Sequence, residues 1–91
     1  DRIMARFGRG INREIVAAVN SGLISEPFTI NDVRTLIRIK GWHPEPSEGY
    51  AKITLENGAN DHNGHNYVKY FLSLGNGRYK LRPEYKGPHY V

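Results

Sequence analysis

The chain contains no cysteine. Disulfides, zinc–thiolate centres and a thiol nucleophile are therefore excluded. Small secreted domains commonly rely on disulfides, so the absence points to a reducing compartment, with a cytoplasmic location as the expectation. Long apolar runs are also missing. Nothing approaches the ~20 consecutive residues that span a bilayer, and no membrane partner is expected. Met4-Ala5-Arg6-Phe7-Gly8 has no apolar stretch behind it and does not read as a signal peptide. Asp1 precedes that methionine, as expected of a piece excised from a longer protein. Apolar residues are sparse at 38%, which suits one modest core rather than two domains. No Ser-His-Asp order or nucleophile elbow is present. Gly75-Asn76-Gly77 is too short for a phosphate-binding loop and lacks the helix that must follow one. The expectation is a chain with no enzymatic activity of its own and no cofactor.

The net charge is +4, and its distribution is uneven. Residues 1–13 carry Arg2, Arg6, Arg9 and Arg13 against Asp1. Residues 14–68 are net acidic. Residues 69–91 carry Lys69, Arg78, Lys80, Arg82 and Lys86 against Glu84. Basic ends around an acidic middle suggest a polyanionic partner touched mainly by the ends. The alternative is a charge that serves solubility alone.

Three helical patterns come first. Ile11, Ile15, Val16 and Val19 recur at helical spacing and predict a helix over 11–21, with Gly22 as its cap. Phe28 is expected in the core, in a short strand or turn after Pro27. Thr29 reads as an N-cap with Asp32 as capping-box partner, opening a helix over 30–40 that buries Ile30, Val33, Leu36 and Ile37 and ends at Gly41. Pro44 and Pro46 break the Trp42–Pro46 stretch. Ser47 then caps a third helix over 48–57, closed by Gly58, with Ala51, Leu55 and Tyr50 inward and Glu48, Lys52 and Thr54 outward. Residues 59–66 read as a polar loop.

The remainder is a hairpin. Residues 67–74 are rich in β-formers, Gly75-Asn76-Gly77 makes a tight turn, and Arg78-Tyr79-Lys80-Leu81-Arg82 alternates strictly. Two strands around Asn-Gly are a strong hairpin signal. Tyr79 and Leu81 should face inward and Arg78, Lys80 and Arg82 outward. The order defines an α+β fold, a winged helix-turn-helix of three helices followed by a two-stranded β-hairpin wing. Residues 1–10 read as a flexible basic arm, 11–83 as the domain, and 84–91 as a tail or linker.

The segment Leu74-Gly75-Asn76-Gly77-Arg78-Tyr79-Lys80-Leu81 resembles the closing "Leu-Gly-x-Gly-x-Tyr-x-Leu" hairpin of winged-helix modules that accompany bacterial restriction and HNH-type endonucleases. The likeness covers about 60–70 residues and is densest over the last 30. Asn76 stands where those modules often carry a basic residue, and the Trp42–Pro46 linker is longer than a minimal helix-turn-helix uses. The resemblance implies a bacterial DNA-binding accessory domain whose parent protein carries the nuclease. Double-stranded DNA is then the expected partner, and a nuclease domain of the parent protein a second.

Several residues are candidates for contact. Arg78, Lys80 and Arg82 would meet phosphates, or would simply be the charges that keep an edge hairpin from aggregating. Lys52, Thr54 and Asn57 would face base edges in the major groove, or solvent. Lys69 adds a cation before the hairpin. His62 and His65 sit in Asp61-His62-Asn63-Gly64-His65, whose two imidazoles and carboxylate suit a phosphate contact, a divalent-metal site or a solvated connector. The alternatives to DNA binding are a protein-interaction winged helix and a His-dependent metal nuclease fragment.

Overall fold

Apolar residues at helical spacing form the first layer. The computed structural model describes residues 7–59 and 67–91. Helix α1 spans Ile11–Asn20 and buries Ile11, Ile15, Val16 and Ala18. After it, Gly22 at φ 86° turns the chain so that Leu23 and Ile24 both donate to the Ala18 carbonyl. Helix α2 spans Ile30–Lys40 and carries the expected capping box: Thr29 accepts from the Asn31 N–H while Asp32 accepts from the Thr29 N–H. Gly41 ends it in the left-handed conformation at φ 67°. Helix α3 spans Glu48–Asn57, opened by the Ser47 hydroxyl, which accepts from the Tyr50 N–H at 3.1 Å.

The hairpin follows. Strand β1 (Phe71–Gly75) pairs antiparallel with β2 (Arg78–Leu81), Phe71 opposite Leu81 and Ser73 opposite Tyr79. The connecting Asn76 and Gly77 have φ of 56° and 73°, so both central residues occupy the left-handed region. That is the twist-matched geometry that Asn-Gly supplies. Phe28 adds a bridge on the other side of β2, exchanging N–H···O bonds of 2.9 Å in both directions with Tyr79. The order across the sheet is therefore Phe28, β2, β1. Three helices followed by an antiparallel hairpin make an α+β layout consistent with a winged helix.

Phe28 and Phe71 are completely buried and meet edge to face at 5.6 Å, while Tyr79 stacks on Phe28 at 5.9 Å. With Ile15, Val16, Val33, Leu36, Ala51, Leu55 and Leu81 they join the helices and hairpin in one core.

Three placements differ from expectation. Tyr50, expected inward, is 53% exposed, with one face of its ring against Phe7 at 5.9 Å. The core reaches back to Phe7, whose ring also meets Trp42 at 5.7 Å, so the end of the expected arm is anchored. Residues 84–91 are expected as a tail, but two 3-10 turns, Pro83–Tyr85 and Pro88–Tyr90, pack this end back on the domain. Asn20 fastens them: its amide donates to the Tyr85 carbonyl at 2.8 Å and its carbonyl accepts from the Gly87 N–H at 2.9 Å. The rings of Tyr70, Tyr85 and Tyr90 continue edge to face, and the Arg13 guanidinium covers Tyr90 at 5.7 Å. Among the described residues no helix is long and apolar enough to cross a membrane.

Candidate nucleic-acid interface

The strict alternation of β2 places its side chains on two faces. Tyr79 and Leu81 turn inward. Arg78 and Lys80 are exposed and form no ion pair among the described residues. Arg82, one residue past the strand, departs from the expected outward row: it is half-buried, and its N–H donates to the Tyr70 carbonyl at 2.8 Å. The chain then turns at Pro83–Tyr85 and packs back on the domain.

Four cations elsewhere are engaged by glutamates. Arg9 and Lys40 converge on buried Glu14, at 3.1 and 3.2 Å. Arg34 pairs with Glu48, and Lys86 pairs with Glu26 at 2.7 Å. Glu26 also accepts from the Leu81 N–H at 2.7 Å. Burial pushes its carboxyl up, but Lys86, the Leu81 amide and the nearby charge of Lys80 outweigh this and hold it below the usual carboxylate range. Of the arginines in the first thirteen residues, Arg9 and Arg13 are occupied by Glu14 and Tyr90, and Arg2 and Arg6 lie outside the described residues.

Helix α3 presents a different set from the one its sequence suggested. Ala51, Leu55 and Gly58 face the core. Thr54 and Asn57 lie on the flanks of that face, half-buried, not on the solvent side. The Thr54 carbonyl accepts from the Asn12 amide at 2.8 Å, and the Asn57 carbonyl accepts from the Lys69 ammonium at 2.7 Å. Lys52 is exposed as expected, and its neighbours on the outer stripe are Gly49, Ile53 and Glu56. Lys69 and Asn57 are brought together, but as a clasp between helix and hairpin. His62 and His65, with the rest of residues 60–66, lie outside the described residues. Among the described residues no group of His, Cys, Asp and Glu is arranged to hold a metal ion.

What joins α3 to the hairpin is Gly58. Its carbonyl accepts from both the Tyr70 and Phe71 N–H groups, at 2.9 and 3.1 Å. A Cβ at Gly58 would lie 2.6 Å from the Asn12 amide nitrogen and 2.9 Å from the Phe71 ring. Its φ of −74° is ordinary, so glycine is required here by close approach and not by backbone conformation. The root of the hairpin is thereby tied to the C-terminal end of α3. Burial pushes the Tyr79 phenol up and the Glu56 carboxylate adds to it, which puts the end of α3 within Coulombic reach of β2. No family model, curated protein or solved structure matches the chain.

Proposed function

We propose that this domain binds duplex DNA as an accessory module of a larger protein. In this reading α2 and α3 act as the helix-turn-helix, α3 enters the major groove, and the hairpin lies against the flanking backbone as a wing. The observation that carries it is a pair of exposed cations side by side on the outer face of the hairpin. Arg78 and Lys80 are exposed with no ionic partner among the described residues, while Arg9, Arg34, Lys40 and Lys86 are each engaged by a glutamate. Exposed cations without a salt bridge on a twisted ribbon suit phosphate contact. A nuclease activity would belong to another part of the parent protein.

The test is a fluorescence-anisotropy titration of a labelled mixed-sequence duplex at low salt. The expected dissociation constant is on the order of 10⁻⁵ M, rising steeply with salt. Arg78→Glu combined with Lys80→Glu should weaken binding at least tenfold and lower the salt slope by about 2. No binding at low salt, or binding indifferent to the double reversal, would reject the proposal and leave a protein-interaction domain as the better reading.

A further inference from the structure

Gly49, Lys52, Ile53 and Glu56 recur at the spacing that aligns side chains along one side of a helix. All four are exposed. Ile53 is 58% exposed at the centre of α3, although a β-branched residue is a mediocre helix former and gains little from folding when its side chain stays in water. Lys52 and Glu56 form no ion pair among the described residues. Gly49 is equally unexplained by the fold. A Cβ there would meet nothing within 4 Å, and its φ is not positive. Glycine inside a helix costs about 1 kcal/mol relative to alanine. The stripe thus combines a methyl-bearing group, a donor, an acceptor and a position cleared of side chain.

Each of these has a counterpart in the major groove. An apolar side chain packs on a C5-methyl group, a lysine donates to guanine O6 and N7, and a carboxylate accepts from the cytosine N4 amino group. The missing side chain at Gly49 lets the first turn of α3 approach the phosphate backbone closely. Glu56 opposes phosphate, so a helix carrying it gains nothing from backbone contact at that position and gains from a cytosine. We propose that this stripe reads a step in which a C5-methyl group stands beside a G·C pair, with Ile53 on the methyl and Lys52 and Glu56 on the pair. The proposal rests on the duplex-DNA reading and replaces Thr54 and Asn57 as base contacts.

The shared chemistry is a major-groove methyl, which comes either from thymine or from 5-methylcytosine. The whole chain is used to select from two random duplex pools, one unmodified and one methylated at cytosine C5, and the bound fractions are sequenced. The expected motif holds a methyl-bearing pyrimidine next to a G·C pair. Removing that methyl, by uracil for thymine or cytosine for 5-methylcytosine, should weaken binding about fourfold. Ile53→Ala should abolish the difference while keeping the wild-type far-UV circular dichroism, since the side chain is outside the core. Enrichment of the motif in both pools identifies thymine, which both contain, enrichment in the methylated pool alone identifies 5-methylcytosine, and either supports the inference. Duplex binding that depends on Arg78 and Lys80 but ignores the methyl, or a methyl effect that persists in Ile53→Ala, overturns the inference and leaves the DNA reading standing. Absence of binding in both pools overturns both.

Discussion

Glu14 is the one charged residue among those described that is fully buried, at 6% exposure. Burial pushes its carboxyl up, but hydrogen bonds from the Arg9 guanidinium and backbone N–H, with Lys40 beside it, win and hold it at about 2. Gly8 belongs to the same arrangement: at φ 60° it turns the chain towards the carboxylate, and a Cβ there would collide with Glu14. Because the folded-state value is depressed, the unfolded chain takes up the proton first as pH falls. The stabilisation is complete above about pH 4.5 and disappears as pH drops towards 2. It is on the order of 2–3 kcal/mol. Glu14→Gln should lose about this much in urea denaturation at pH 7, and the gap to the wild type should shrink steadily as pH is lowered from 4.5 to 2.5. An equal gap at both ends of that range would show that the loss comes from packing and not from the charge.

At the scale of elements, the hairpin turn carries the clearest requirement. Asn76 and Gly77 both sit at positive φ, a geometry that matches the twist of β1 and β2. Gly77→Val would force a β-branched residue into the left-handed region, at a cost of about 1–2 kcal/mol. For a domain of this size that lowers Tm by roughly 5–15 °C. On the proposed duplex-DNA reading, affinity should fall as well, since Arg78 directly follows the turn. A Tm within 2 °C of the wild type, as an order-of-magnitude criterion, would mean that the turn tolerates the strain by changing register. Helices α2 and α3 begin and end where Thr29, Gly41, Ser47 and Gly58 predict, and α1 stops one residue short of its expected end, because such caps act within one turn of chain. The facing of α3 was harder to read. Tyr50 and Ile53 are apolar and exposed, so the apolar stripe is blurred, and the outward assignment of Thr54 failed for that reason.

At the scale of the whole molecule, the C-terminal turns brace the hairpin and α1 together. Tyr70, Tyr85 and Tyr90 form a chain of ring contacts at 4.8 and 5.4 Å, Asn20 makes two hydrogen bonds to the returning backbone, and Lys86 pairs with Glu26, which also holds the Leu81 N–H. Ending the chain at Arg82 should therefore destabilise the domain by about 2–3 kcal/mol. A lowered urea midpoint with the helical circular dichroism retained in water is the expected result. An unchanged midpoint would return residues 83–91 to the status of a linker. The sequence contains no strong sign of this brace, since two prolines and scattered tyrosines read as a tail until something is found for them to pack against.

The sequence alone determined the order of elements, their caps, the hairpin turn and the outward row of Arg78 and Lys80. All of these arise from interactions within a few residues: periodicity, side chain to backbone bonds, and the conformations open to glycine and asparagine. Tertiary structure decided which glutamate engages which cation, that Gly58 must be small so that Asn12 and Phe71 can close on it, and that Ile53 rather than Thr54 faces outward. Those outcomes depend on groups far apart in the chain, brought together only when the core forms, and no local pattern encodes a distance across it.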